Sequence, residues 1–170
     1  MIKLFGDINI PAKSYLTKNE IILFSYLLSK KTKTYFSEIE SLFLDIKEVD
    51  QKYVRRIVQN INKKLGNIGY IYIERKTIKT EINCDVDIWK FEELLKNKSD
   101  ISEILGIYTG PFFPSINCIW ANKMRMYYQK IIKKIVENYL KKEHIDIETL
   151  YKILRVFPEL STSELLEEPI

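Results

Sequence analysis

The sequence contains few of the residues on which metal sites and histidine-based catalysis depend. Its 170 residues include 2 cysteines, 1 histidine and 5 glycines. Because Cys84, Cys118 and His144 are far apart in the chain, they form no Cys/His zinc pattern and argue against a histidine-based triad. The sequence also lacks a Gly-rich phosphate loop and a nucleophile paired with a base. We therefore expect neither an enzyme nor a bound metal or cofactor.

Long hydrophobic runs are missing as well. No apolar stretch approaches the roughly 18 residues that a membrane-spanning helix needs. The first residues, MIKLFGDINIPAK, are too short and too interrupted for a secretory signal. The composition, 46% hydrophobic and 29% charged, is typical of a globular protein. Two isolated cysteines are expected to stay reduced, which favours a cytoplasmic location.

The charge is distributed unevenly along the chain. Residues 1–83 contain 15 Lys and Arg against 9 Asp and Glu, whereas residues 84–170 contain 12 against 14. A basic first half joined to a mildly acidic second half indicates a module that binds a polyanion, followed by a region with another role.

Residues 50–66, DQKYVRRIVQNINKKLG, give the clearest pattern in the basic half. Apolar residues at helical spacing predict one buried helix face, formed by Val54, Val58, Ile61 and Leu65. Asp50 and Gly66 are suited to cap the two ends of this helix. The opposite face carries cations and amides and no acid, namely Lys52, Arg56, Gln59 and Lys63, flanked by Arg55, Asn60 and Asn62. These side chains suit phosphates and base edges, although a solvated helix face can also look this way.

The elements around this helix predict a winged helix-turn-helix domain over residues 1–83. Short strands are expected at 2–5 and 8–10, on either side of Gly6-Asp7. A capping box of Thr17 and Glu20 predicts a helix over 18–29, and Ser37 is expected to start a second one ending near Leu44. Alternating residues over 70–82 predict a hairpin with a basic tip, formed by Arg75, Lys76 and Lys79. Two helices, a basic helix and a hairpin form the winged variant of the helix-turn-helix fold.

Residues 84–170 are predicted to be helical. Helices are expected from Asp85 to 96, from 99 or 100 to 105, over 120–142 and over 147–157. The last two resemble a tetratricopeptide pair that is too short to stand alone, so this second domain is expected to pack on the first. The turn-rich segment 108–114 lies between the short helix that ends at 105 and the helix 120–142. We expect the aromatic residues of this half to form a core that joins the two halves: Trp89, Phe91, Phe112, Phe113, Trp120 and Tyr127.

Several of these segments together resemble a known family. The segments are Phe5-Gly6, Leu16-Thr17, the helix 54–66, the helix start 85–92 (DVDIWKFE), and YTGPFFP at 108–114 followed by Trp120-Ala121. The order of these segments is similar to that in SARP-type activators. These join an OmpR/PhoB-like winged helix to a bacterial transcriptional activator domain (BTAD). The chain departs from the family at Leu42-Phe43-Leu44 and Ile61-Asn62-Lys63, and its activator domain is shortened.

The resemblance implies a fold and a function. The fold is mainly α with a small β component, a winged helix-turn-helix followed by a truncated, tetratricopeptide-like BTAD segment. The function is that of a transcription regulator, an activator in the family, which binds double-stranded DNA at repeated half-sites as a homodimer, contacts RNA polymerase and is associated with the nucleoid.

The contacts expected with DNA follow from the helix faces. Arg56, Gln59 and Lys63 are expected to point into the major groove, with Lys52 on the same face. Arg55, Asn60 and Asn62 are expected at the groove walls, and Arg75 and Lys76 on the adjacent minor groove or backbone. Gln59 and Asn60 suit adenine edges, and the cations suit guanine or phosphate. Two alternatives remain open, a protein-interaction adaptor that has lost DNA binding and an RNA-binding winged helix.

Overall fold

A computed structural model describes residues 1–142 and 144–160 of the chain. Within these residues the protein is mainly α-helical with one small antiparallel sheet, as the sequence predicts. The helices are α1 (Lys18–Lys30), α2 (Phe36–Leu42), α3 (Gln51–Leu65), α4 (Asp87–Lys96), α5 (Ile101–Ile107), α6 (Ile119–Leu140) and α7 (Ile147–Val156). The strands are β1 (Thr34–Tyr35), β2 (Gly69–Glu74) and β3 (Thr77–Ile82).

The chain divides into two compact units whose segments alternate along the sequence. The first unit comprises Met1–Ile2, Asn9–Val86 and Ser115–Asn122. The second comprises Lys3–Ile8, Asp87–Pro114 and Lys123–Ile170. The boundary expected at residue 83 lies close to the division after Val86. The exchange of segments 3–8 and 115–122 between the units depends on contacts that are distant in sequence, so local patterns give no signal for it.

Helix α1 begins at a capping box and supplies core residues to the first unit. The Glu20 backbone N–H donates to Thr17 Oγ1 at 3.4 Å, and the Thr17 N–H donates to Glu20 Oε1 at 3.0 Å. These bonds satisfy donors that a helix start leaves unpaired, as predicted. The inward residues of the helix are fully buried, among them Ile22, Leu23, Phe24 and Leu28.

Helix α3 has the ends and the buried face that its sequence predicts. Asp50 caps it by accepting a hydrogen bond from the Tyr53 N–H at 2.8 Å. The helix ends at Gly66, whose φ of +64° favours glycine, and a Cβ there would lie 3.2 Å from the Lys13 Cβ. The buried residues are Val54, Ile57, Val58, Ile61 and Leu65.

The sheet has the strand order β1-β3-β2, with β3 in the centre. Glu74 pairs with Thr77, so Arg75 and Lys76 form a two-residue turn at the tip of the β2–β3 hairpin, as predicted. Lys79, also expected at the tip, instead pairs with Tyr72 within β3. Short strand β1 pairs its Thr34 with Ile78 of β3. One face of the hairpin buries Ile71 and Ile78, and the opposite face is exposed.

Two sequence predictions in this region are wrong. The strands expected at 2–5 and 8–10 are not formed; residues 2–5 instead form isolated bridges, a parallel one between Ile2 and Val86 and an antiparallel one between Phe5 and Phe112. Helix α2 begins at Phe36 rather than Ser37, and its first turn is closed by Glu38, which accepts a hydrogen bond from the Tyr35 N–H at 2.8 Å.

The second unit is assembled around the N-terminal segment Lys3–Ile8. The Phe113 N–H donates to the Leu4 carbonyl at 2.8 Å, and the Gly6 N–H donates to the Pro111 carbonyl at 2.9 Å. The Asp87 carboxylate accepts from the N–H groups of Leu4 and Phe5. A cluster of buried rings fills the interior: Phe5, Phe91, Tyr108, Phe112, Phe113 and Tyr128.

The helices of the second unit match the predicted ones within a few residues. Helix α4 begins at Asp87, two residues after the expected cap Asp85, and α5 extends to Ile107. The prediction that Tyr127 belongs to a core is wrong, because its side chain is 56% exposed. Residues 161–170 lie outside the described residues. None of the described helices has the length and hydrophobicity that crossing a bilayer requires.

Candidate nucleic-acid interface

The outward face of α3 carries the predicted polar set in an exposed position. Each of its long cations and its glutamine is exposed: Lys52, Arg55, Arg56, Gln59 and Lys63. Asn60 and Asn62 are half-buried at the edges of this face. An open depression beside the first half of the helix is lined by Glu48, Asp50 and Tyr53 together with several of these cations. Apart from the capping Asp50, no acid lies within the helix itself.

Tyr53 supports two of the cations around the start of α3. The Arg56 guanidinium lies 5.4 Å from the centre of the Tyr53 ring, and Lys47 Nζ lies 4.1 Å from it. The ring is itself held, because the Asn19 side-chain amide donates to the Tyr53 hydroxyl at 3.3 Å. Cation–π contacts of this kind orient a cation while leaving its hydrogen-bond donors available. Sequence reasoning missed Tyr53 and Lys47, although Tyr53 and Arg56 stand at i,i+3, a spacing that brings side chains together.

Asn62 has a different role from the one predicted at the groove wall. Its side-chain Nδ2 donates to the Ile71 carbonyl at 2.9 Å, and its Oδ1 accepts from the Ile71 N–H at 2.7 Å. Strand β2 is at the edge of the sheet, so within the described residues no strand pairs with the outward N–H and C=O of Ile71. Asn62 therefore takes the place of a neighbouring strand and attaches β2 to α3.

Arg55 also connects α3 to the hairpin. Its Nη2 donates to the Arg75 carbonyl at 2.9 Å, and its guanidinium lies 5.3 Å from the Phe36 ring centre. The Phe36 N–H in turn donates to the Lys76 carbonyl at 3.0 Å. The carbonyls at the hairpin tip are thus held by α3 and by the start of α2, which fixes the tip relative to the outward face of α3.

The side chains at the hairpin tip point to solvent beside further cations. Arg75 and Lys76 are both exposed. Together with Lys33 and Tyr35 they line a second open depression, which also includes Glu74. Lys33 had no signal in the sequence, because it reaches the tip only through the pairing of β1 with β3.

Helix α3 is also attached to α1 by an ion pair. Lys64 Nζ lies 2.6 Å from Glu20 Oε1 and 3.1 Å from Oε2. Glu20 is 4% exposed, so Lys64 compensates a carboxylate that is largely removed from water. Lys64 therefore faces inward, and the adjacent Lys63 faces outward.

Among the described residues, the outward cations of α3 differ from Lys64 in forming no ion pair with an acid. Neither Arg56 nor Lys63 forms an ion pair with any residue in the part of the chain that the structure describes. In the same part of the chain, no three His, Cys, Asp or Glu residues lie close enough together to hold a metal ion. No family model, curated protein or solved structure matches this chain.

Proposed function

We propose that the protein is a DNA-binding transcription regulator that inserts α3 into the major groove. The observation that carries this proposal is the outward face of α3, where Lys52, Arg56, Gln59 and Lys63 are exposed on a helix that contains no acid. This face is fixed beside a basic hairpin tip. Long cations and amides on a rigid helix are the groups that read base edges and phosphates. In this proposal α1, α2, α3 and the hairpin constitute a winged helix-turn-helix, with the hairpin as its wing.

The contacts divide by role. Gln59 and the half-buried Asn60 read base edges, and Lys52, Arg56 and Lys63 contact guanine or phosphate. Arg75 and Lys76 contact the adjacent backbone or minor groove. Arg55 and Asn62 position the hairpin through the bonds that they form with Arg75 and Ile71.

The second unit takes the family role that the sequence resemblance implies. As a BTAD-type unit with tetratricopeptide-like helices, it would contact RNA polymerase or a second copy of the chain on repeated half-sites. Transcription activation and association with the nucleoid follow from the same resemblance. These assignments depend on DNA binding by α3, which is therefore the property to measure first.

The exposure of the α3 cations favours DNA binding over an adaptor role. An adaptor that had lost DNA binding would be expected to neutralise Arg56 and Lys63 with acidic side chains of its own. Both residues are exposed and form no ion pair among the described residues, whereas the inward-facing Lys64 is paired with Glu20. The pattern fits a helix that keeps its outward charges for a polyanion.

A salt titration tests the proposal. Binding of a mixed-sequence duplex of about 30 base pairs, roughly three helical turns, is measured as a function of salt concentration. Each phosphate contact contributes about 0.9 to the log–log slope, so Arg56→Gln with Lys63→Gln should lower it by up to about 1.8. The matched control is Lys90→Gln with Lys96→Gln, which removes the same charge from two exposed positions of α4 in the second unit.

Three outcomes separate the hypotheses. If the log–log salt slope falls in the α3 variant and not in the control, the result supports α3 as the DNA contact. Equal slopes in the wild type, the α3 variant and the control would show that α3 is not the contact. If structured RNA competes with the labelled duplex at lower concentration than unlabelled DNA does, the RNA-binding alternative is preferred.

Base readout needs a second experiment, because salt dependence reports phosphates. Selection from random duplexes would give the preferred site. Gln59→Ala should then relax the preference at one base pair, by about 1 to 3 kcal/mol between the best and the worst base, and leave the salt slope unchanged. A uniform loss of affinity for all sequences would assign Gln59 to the backbone instead.

A further inference from the structure

Besides the outward face of α3, the protein has a second cationic helix face. It lies on α6, in the unit whose overall charge is mildly acidic. Between Ile119 and Val136 this helix contains five cations and no acid; Glu137 is its first acidic residue. At about 100° per residue, Lys123, Tyr127, Lys130 and Lys134 fall within roughly 40° of one line along the helix. Met126 and Lys133 flank this line. All six residues are exposed, and they are called the α6 stripe below.

The stripe lies opposite the side of α6 that packs into the second unit. Tyr128, Ile132 and Val136 are at most 3% exposed and define the buried side of the helix. The fifth cation of this region, Arg125, behaves differently from the stripe: its guanidinium donates to the carbonyls of Phe112 and Phe113, so it contributes to the packing of the fold. Arg125 thus has a structural role within the second unit, whereas the lysines of the stripe face outward.

The chemistry of the stripe favours a phosphate backbone. All four of its cations are lysines, which act as point charges, whereas bidentate recognition of carboxylates is served better by arginine. The stripe extends over about 16 Å of helix, a length along which duplex DNA carries about ten phosphate charges. Tyr127 and Met126, which are 56% and 57% exposed, provide apolar contact area between the lysines.

Insertion into a membrane fits the stripe less well. An interfacial helix needs a broad apolar face directed at the lipid, but the apolar face of α6 is buried within the protein. Met126 and Tyr127 alone would leave little apolar surface to insert. What distinguishes the stripe is its regular line of positive charge. Such a line complements the regularly spaced negative charges of a phosphate backbone.

We propose that the α6 stripe is a second DNA-contacting surface, which binds phosphates outside those bound by α3 and its hairpin. This inference rests on the proposed function, since it assigns further phosphates of the same duplex to the second unit. The stripe adds affinity that does not depend on sequence, because it offers phosphate-binding lysines and lacks amides at the centre of the line.

The test uses the full-length protein, the duplex of about 30 base pairs and the same salt titration. Lys130→Gln with Lys134→Gln should lower the log–log slope by about 1.8, with equal loss of affinity for different sequences. Lys90→Gln with Lys96→Gln is the matched control, because both residues are exposed lysines of α4 in the same unit. Circular dichroism melting checks that each variant is folded.

The results separate this inference from the proposed function. If the α6 variant keeps the wild-type slope while the α3 variant loses slope, the inference fails and the proposed function stands. If only the α6 variant loses slope, the stripe binds DNA and the assignment of α3 fails. If the α6 variant binds DNA normally but loses binding to phosphatidylserine vesicles or to poly-glutamate, a lipid or an acidic protein is the partner and the inference is overturned.

Discussion

The two units of the protein are stabilised by different interiors. The first unit is mostly aliphatic, with Ile22, Leu23, Leu28, Val54, Val58 and Ile61 buried together with smaller contributions from the hairpin. The second unit is built on aromatic rings, with Phe5 at the centre; its ring centroid lies 5.0 to 6.1 Å from those of Phe91, Tyr108, Phe112 and Tyr128.

Because their interiors differ, the two units should respond differently to a single core substitution. Aliphatic residues spaced along α1 and α3 share the stability of the first unit among many similar contacts. In the second unit one ring from the N-terminal segment contacts four others that come from α4, α6 and the segment before α6. The second unit is therefore expected to depend more strongly on one residue.

Phe5→Ala should have the largest effect. Removing a buried ring typically lowers the free energy of unfolding by about 3 to 5 kcal/mol. Trp89 lies in the second unit and Trp120 in the first, so fluorescence can follow each unit separately in Trp120→Phe and Trp89→Phe backgrounds. We expect Phe5→Ala to lower the denaturation midpoint reported by Trp89.

Leu23→Ala and Tyr15→Ala calibrate that measurement. Leu23 is fully buried in the first unit, and its truncation should lower the midpoint reported by Trp120. Tyr15 is 100% exposed and should change neither midpoint. If Phe5→Ala moved only the Trp120 signal, Phe5 would belong to the other interior and the comparison would be wrong.

Asp87 gives the second unit a pH dependence. Burial raises the pKa of this carboxyl to about 6, although the N–H groups of Phe5 and Leu4 oppose the shift by donating to Oδ2. The folded-state pKa lies above the unfolded value of about 3.9, so the folded state binds the proton more tightly. This group therefore stabilises the protein fully below about pH 4, and its contribution is lost as the pH rises through about 6.

The full size of this contribution is roughly 2 to 3 kcal/mol. Other carboxylates change stability in the same pH range, so the informative quantity is the difference between the wild type and Asp87→Asn. This difference, followed through Trp89 fluorescence in urea, should vary between pH 4 and 6.5 and be constant above that. A difference independent of pH would show that Asp87 is already ionised throughout the range.

The same contrast explains what the sequence could and could not predict. Helix α3 and the hairpin follow from local periods, because the buried residues of each element are spaced at 3.6 or 2 residues. The contacts of Phe5 with Phe112, and of Asp87 with Leu4, join residues more than 80 positions apart, and nothing local marks them. For the site, the outward face of α3 was predictable, but the use of Asn62 by a strand edge was not.

Asn62→Ala should have a smaller effect, confined to the first unit. It leaves the N–H and the C=O of Ile71 without their partner at the edge of the sheet, which should lower the free energy of unfolding by about 1 to 3 kcal/mol. Amide hydrogen exchange at Ile71 should accelerate. Asn60→Ala, at a half-buried position of the same helix, is the control and should change stability by less than about 0.5 kcal/mol. Equal losses in the two variants would contradict the role assigned to Asn62.

Replacement of Arg75 by glycine should change the stability least, and the expected change is zero or an increase. Arg75 has a φ of +56°, a conformation that is unfavourable for residues with a Cβ, and its side chain is exposed. Arg75→Gly relieves this strain and keeps the carbonyl that accepts from Arg55, so the free energy of unfolding should stay constant or rise by up to about 1 kcal/mol. Phe113 in the second unit has a similar φ of +53°, but its ring is fully buried. Phe113→Gly should therefore destabilise the protein.

Lys76→Gly completes this comparison because Lys76 adjoins Arg75 in the turn and does not have a positive φ. It should lower the free energy of unfolding by about 0.5 to 1 kcal/mol, in contrast to Arg75→Gly. On DNA the two variants should behave alike, each lowering the salt slope by about 0.9 if the hairpin tip contacts phosphates. Thermal melting and the salt titration thus separate the backbone role of Arg75 from its charge. Equal stability changes in the two glycine variants would contradict the left-handed conformation of Arg75, since only strain relief distinguishes them.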